Sequence, residues 1–460
     1  MKYLSLGDTD DISASCHHLT FGGTGLVLDA GMDPNQDGWA AVPPFELLRG
    51  RPVDQVVVTH AHHDHLGALP VLLKEAPHAR VHMSKPTAML AEMILPSSAR
   101  LQKRRIREGS ASGSPAYDVE MAEALSYVYE THNLEAPFDL AGLHAEGDLR
   151  GQFFHASHVL GAVGLLLDGE EDRERRRVYY TSDTSLAPQT ILPGADHPEG
   201  TVDVLLLEST LGADPDAEMT SRKAQEKAFG EALAAVIDRG GAALVPVFAL
   251  GRSQDMLALI GRFKSRGILP ADTPVYTAGA MRGIAAIYDA TRQSTPRLDP
   301  EFEVYGVDQE RLPRGGAKLE AALSKPGIFV VTSGMLFERT PSHALAQHLI
   351  EDERNGVFFV GFSKEGSPGA RLLEAAEAGE PIVLDEDRGA QPVRADVRRF
   401  RFSGHSHRRD LVRVVDLLKP ETVVLVHGET AAKEWMRDSI AQYHPDVRIV
   451  VPAQGQAIEV

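Results

Sequence analysis

The run Thr59-His60-Ala61-His62-His63-Asp64-His65-Leu66-Gly67 gathers four imidazoles and a carboxylate. Imidazole nitrogen and carboxylate oxygen are the donors that a borderline-soft divalent metal takes, and a catalytic site of this kind keeps a position open to water. His60 and His62 are two apart, so in extended backbone their rings leave on the same side. Asp64 and His65 follow a turn and can face a second point nearby. The same alternation turns His63 away, which marks it as structural. Four potential ligands at the end of an apolar strand would be costly to bury without a cation, so a polar loop of satisfied histidines is the weaker reading.

These residues need a rigid support. Val56-Val57-Val58 reads as a buried strand running into the block, and Ala68-Leu69-Pro70-Val71-Leu72-Leu73 as a helix leaving it. The device recurs: Leu26-Val27-Leu28 leads to Asp29, Val178-Tyr179-Tyr180 to Asp183, and Val204 to Leu207 leads to Glu208. Gln152-Phe153-Phe154-His155 runs on to His158, and Thr422 to Val426 to His427. In layered α/β proteins, sites gather beyond the strand ends, where loops vary while the sheet stays rigid. From about residue 209 the texture changes. A helix-like 222–239 is followed by strand-like runs at 242–247, 275–277, 327–331 and 356–361, a spacing that suggests parallel βαβ units. Ligand-type residues then return in Phe402-Ser403-Gly404-His405-Ser406-His407 and in His427-Gly428-Glu429. The simplest organisation is a first domain over 1–208, an inserted domain over 209–385, and a completing part over 386–460. Elsewhere, residues 118–130 read as a helix, Arg100 to Arg107 as a solvated helix face, and Ser110 to Pro115 as a loop. Cys16 reads as a small buried hydrophobe.

His60, His62 and His158 can supply three imidazoles to one ion, Asp64, His65 and His427 can serve a second, and Asp183 can bridge both. Two cations about 3.5–4 Å apart can clamp the attacking and leaving oxygens of a phosphoryl displacement. Asp29 is suited to fixing a histidine tautomer from behind, or alternatively to capping the turn before Gly31.

The His60–His65 block resembles the His-x-His-x-Asp-His motif of the metallo-β-lactamase fold, and Asp29, His158 and Asp183 resemble its other motifs. Glu208, His405 and His427 resemble the motifs of the β-CASP branch. Gly251-Arg252-Ser253-Gln254, Ser333-Gly334-Met335 and Gly361 to Gly369 resemble motifs of that branch's inserted domain. The resemblance implies an αββα sandwich with an inserted α/β domain of mostly parallel sheet. It also implies two zinc ions and hydrolysis of single-stranded RNA in a cleft between the domains, by metal-activated hydroxide. Asp64 and Asp183 would share in that chemistry. His405 would protonate the leaving ribose oxygen with Glu208 orienting it, and His407 is its competitor. Arg252, Ser333, Gly334 and Arg371 would contact substrate. The chain departs from the family pattern at Ser157, where glycine is common, and at Thr277 to Met281 and Phe337 to Arg339 in the insert.

At 460 residues with 43% apolar and 24% charged content, the chain is expected to be globular and to hold more than one domain. No apolar run is long enough to span a bilayer, and no signal peptide is read at Met1-Lys2-Tyr3. With one cysteine, the expectation is a cytoplasmic RNA-processing enzyme, without an appended RNA-binding domain and possible as a homodimer. The net charge of −18 argues against a dedicated, tight nucleic-acid binder. Three rivals therefore stand beside the ribonuclease: a hydrolase of a small ester or phosphodiester, a single-stranded DNA nuclease, and a non-catalytic RNA-binding scaffold.

Overall fold

The computed structural model describes residues 1–460 except Thr9, Ser110, Glu146, Phe362 and Ser363, and the side chain of Ala217. Ser110 of the expected loop and Phe362-Ser363 of the expected insert motif thus lie outside the described residues.

Two compact units divide the chain. The first holds Met1–Pro188, Pro193–Pro215 and His405–Val460; the second holds Gln189–Leu192 and Asp216–Gly404. The first unit contains two seven-stranded sheets. In one, Ala457–Glu459, Lys2–Ser5, His17–Phe21 and Thr24–Leu28 join antiparallel, and Gln55–Val57, Arg80–Ser84 and Tyr129–His132 continue in parallel. In the other, Arg448–Val450, Thr422–Val426, Val204–Glu208 and Glu174–Tyr180 run parallel, and Val163–Glu171, Leu149–His155 and Phe138–Asp139 complete it antiparallel.

Successive side chains of a strand point to opposite faces, and the central strands here bury both. Leu206 and Val424 join Leu28, Val57 and Leu165 in a core fed by both sheets. Their neighbours Leu205, Leu207, Val423 and Leu425 pack instead with Leu411, Val415, Met436 and Ile440 of helices Arg408–Leu418 and Thr430–Tyr443. Burial on both faces explains why these strands read as continuous apolar runs. Helix Lys85–Arg107 lies against the other sheet. This is the layered sandwich that the resemblance implied. Arg100 and Arg105 on that helix pair with Glu123 and Asp37, as a solvated face would.

In the second unit, six strands lie in the order Glu310–Arg311, Val275–Thr277, Gly327–Val331, Ala242–Pro246, Gly356–Phe359 and Asp396–Arg399, all parallel. Set beside the sequence-based limits of 209 and 385, the units divide at Asp216 and Gly404. Strand Asp396–Arg399 pairs with Gly356–Phe359, which carries the second unit past the earlier limit. Residues 118–130 also differ from expectation. Only Val119–Ala124 is α-helical, because Tyr129–His132 is drawn into the sheet beside Arg80–Ser84.

Candidate metal centre

The site is built at strand ends where the backbone turns sharply. Asp29, Ser157, Ser182 and His427 all take left-handed conformations, with φ of 60°, 62°, 51° and 48°. Such a conformation costs an L-residue roughly 1–2 kcal/mol. Four strands accept that cost at their ends, and each delivers a polar side chain to one place. Glycine would be at ease at position 157, and Ser157 instead anchors its turn by donating from Oγ to the Pro193 carbonyl.

The donors expected from the sequence converge. His60, His62 and His158 form one group whose ligand atoms lie within 4.8 Å of one another, as do Asp64, His65 and His427, and His60, His65 and Asp183. His62 Nδ1 stands 3.0 Å from His158 Nε2. Asp183 sits among them, its Oδ2 at 3.4, 3.6 and 3.8 Å from Nε2 of His65, His158 and His60, and its Oδ1 at 3.4 Å from His427 Nδ1. Asp64 Oδ2 is 3.4 Å from His427 Nε2. His63 belongs to none of these groups, and its ring lies against Gly67.

These residues fit metal ions. Nε2 of His60 and of His65 and Oδ1 of Asp183 are buried and make no hydrogen bond with any described residue. Buried polar atoms are rarely left in that condition unless an ion or water meets them. The donor set, imidazole nitrogen with two carboxylates, is that of a zinc-like cation. Electrostatics agree. Burial disfavours the charged form of Asp64, yet the hydrogen bond from His427 and the nearby imidazoles hold its carboxyl well below the usual range. Asp183 is likewise kept ionised against burial by His427 and His65.

A buried polar shell holds the rings, and most of it was not read from the sequence. His65 Nδ1 donates to Asp29 Oδ2 at 2.9 Å. Asp29 also accepts from the Thr59 backbone at 2.7 Å, from Thr59 Oγ1, and from the Tyr180 hydroxyl at 2.9 Å. Thr59 Oγ1 is in turn 2.6 Å from Ser182 Oγ, and both hydroxyls approach His60 Nδ1. Tyr180 and Ser182 looked like strand residues in sequence; only strand register brings them to Asp29 and Thr59.

Beside the ligands, His405 Nδ1 lies 3.0 Å from Glu208 Oε2. The His405 ring is 4.5 Å from that of His158 and 5.9 Å from that of His427. Glu208 is fully buried and is fixed by the Thr184 backbone, which donates to its Oε1 at 2.9 Å. Burial works against a charged His405, but Glu208, Asp183 and Asp64 outweigh it and raise its pKa to about 9. Ser406 ties this loop down through Thr184 O and Leu186 N. His407 stands at the N-cap position of helix Arg408–Leu418, its side chain making no cap hydrogen bond, and it belongs to none of the donor groups named above.

The residues expected to meet substrate lie in the second unit. Arg252 is buried there, 3.0 Å from Asp255 and 3.3 Å from Gln189. Its guanidinium is engaged inward. Ser333 Oγ accepts the Phe337 backbone N–H at 3.0 Å within its own turn. Gly334 lies against Phe248, where an added Cβ would come within 3.1 Å of the ring. Arg371 is exposed. No described helix is long and apolar enough to cross a membrane.

Comparison with known proteins accords with this geometry. Residues 10–230 match the metallo-beta-lactamase superfamily, 253–372 the Beta-Casp domain, and 390–452 the Zn-dependent metallo-hydrolase RNA specificity domain. An RNase J-like protein of Methanocaldococcus jannaschii is 27% identical, over 92% of this chain and 91% of its own length. Endoribonuclease ysh-1 of Neurospora crassa is 27% identical over 93% of this chain and 52% of its own length. Subunit 3 of the cleavage and polyadenylation specificity factor of Dictyostelium discoideum is 25% identical over 100% of this chain and 57% of its own. The chain thus spans about half the length of these two eukaryotic relatives. A crystal structure of a protein of unknown function from Enterococcus faecalis V583 matches 100% of this chain and 99% of its own with a TM-score of 0.54 and 15% identity, a likeness of fold alone. The chain belongs to the metallo-β-lactamase superfamily, in its β-CASP branch.

Proposed function

We propose that this protein is a zinc-dependent ribonuclease that hydrolyses phosphodiester bonds of single-stranded RNA. The observation that carries the reading is the pair of donor sets with Asp183 within 3.8 Å of members of both, and the His405–Glu208 pair against their edge. Two zinc ions bound by His60, His62, His158 and by Asp64, His65, His427, with Asp183 common to both, would supply Lewis acidity and an activated water at neutral pH.

The chain's own residues do the rest. Asp29 and its donors lock the His65 ring, so that ligand geometry is set before substrate arrives. Glu208 accepts the Nδ1 proton of His405, which presents Nε2 to the leaving oxygen and stabilises the imidazolium. A ribose alkoxide is a poor leaving group, and a proton from His405 converts it to an alcohol. The RNase J-like and endoribonuclease relatives support RNA as the substrate. A single buried cysteine suits a reducing, cytoplasmic setting.

End-labelled single-stranded RNA and DNA oligomers and a small chromogenic phosphodiester, each incubated with the zinc-loaded full chain, test the reading. RNA should be cut, cutting should stop on chelation, and added zinc should restore it. Turnover of the small ester with RNA left intact, or metal-independent RNA binding without cleavage, would replace it with one of its rivals.

A further inference from the structure

A second cluster of ligand-type side chains lies at the edge of the first sheet, outside the centre described above. His82 on strand Arg80–Ser84 and Glu130 and His132 on edge strand Tyr129–His132 bring three donor atoms within 4.8 Å of one another. Register explains the meeting. His82 pairs with Glu130, and His132 is two residues further on, so all three can share one face of the sheet.

Its internal geometry distinguishes this cluster from a chance patch. His82 Nδ1 stands 2.9 Å from His132 Nε2, which repeats the 3.0 Å between Nδ1 of His62 and Nε2 of His158 in the metal centre. Gln55 Oε1 lies 2.8 Å from His82 Nε2 in a fully buried position, so the ring keeps its proton there and turns a lone pair on Nδ1 toward His132. That is the arrangement in which an outer acceptor orients a metal-binding imidazole. His132 is fixed by stacking on Phe138, with centroids 3.8 Å apart and planes 7° from parallel. Arg80 grips both oxygens of Glu130 at 2.7 and 2.8 Å, which orients the carboxylate and still leaves it lone pairs. Asp139, 3.9 Å from Arg80, offsets the guanidinium charge. Half-exposed His132 and Glu130 leave the outer side open to water.

We propose that His82, His132 and Glu130 form an additional binding site for a zinc-like divalent cation, with water completing the coordination. Two imidazoles and a carboxylate are a sufficient protein set for zinc. The site shares no residue with the donor sets described above, and its occupancy is independent of whether RNA is the substrate.

The test is zinc content per chain by elemental analysis after loading and gel filtration, in the parent and in His132→Gln and Glu130→Gln. The parent should hold about one zinc more than His132→Gln, and Glu130→Gln should bind that ion roughly tenfold more weakly. Reading the difference rather than the total keeps the result independent of the occupancy of the other centre. Both substitutions are at half-exposed positions, so RNA cleavage by each zinc-loaded variant, and the unfolding transition of each in chelator, should stay close to the parent's. Equal zinc content in all three proteins would overturn the proposal and leave His82 and His132 as a hydrogen-bonded pair.

Discussion

His405 and Tyr180 act on the candidate centre from opposite sides, and each can be tested alone. With its Nδ1 held by Glu208, His405 has the position of a general acid. His405→Ala should lower the rate of RNA cleavage by roughly 10²–10⁴-fold with zinc content unchanged, and His407→Ala should leave it near the parent's. A His405→Ala protein that cuts at the parental rate would remove the acid role. Tyr180 acts through another residue. Its hydroxyl donates to the Asp29 oxygen that also takes the His65 proton. Tyr180→Phe keeps the ring in its core position, so it should weaken zinc binding by about tenfold in a chelator competition with little change in melting temperature. The contrast shows what sequence makes legible at this scale. His60 to His65 announce themselves by type and spacing. Tyr180 is indistinguishable from a core aromatic until register brings it under Asp29.

Strand ends are the elements on which the centre depends, and their backbone can be probed as directly as their side chains. At Ser157 a left-handed φ of 62° is combined with a hydrogen bond to Pro193. Ser157→Ala keeps the strained backbone and loses the bond, which should cost about 1 kcal/mol in chemical denaturation. Ser157→Gly loses the same bond but relieves roughly 1 kcal/mol of strain, so it should stay close to the parent. Equal losses in the two variants would mean the backbone strain is not felt. Gly31 is a sharper case, since an added Cβ would lie 1.7 Å from the Asp64 carbonyl oxygen. Gly31→Ala must push the ligand loop aside, and zinc content should fall with it. The existence of these strands was legible because burial on both faces writes continuous apolar runs. The edge strand Tyr129–His132 was not, since Tyr129 and Glu130 pattern like the end of the preceding helix and only pairing with Arg80–Ser84 decides otherwise.

At the scale of the whole molecule, the inserted α/β unit was legible from strand–helix alternation, but its extent was not, because three of the four residues of the last strand, Asp396–Arg399, are charged. The donor sets draw on residues from position 60 to position 427, so metal binding closes long loops in the first unit. A ligand that binds only the folded chain stabilises it by RT ln(1 + [L]/Kd), about 2.7 kcal/mol at a hundredfold excess over Kd. Chelation should therefore lower the melting temperature by several degrees, on the order of 5 °C. The sign with pH follows from the ligands. Imidazoles must be deprotonated to bind, while Asp64 and Asp183 stay ionised well below the usual carboxylate range. The gap between zinc-loaded and chelated melting temperatures should thus narrow as pH falls, because protons compete for the imidazoles before the carboxylates protonate. Scanning calorimetry at several pH values, with and without chelator, reads that gap. A gap that stayed constant from pH 8 to about pH 5 would show that these histidines do not hold the metal.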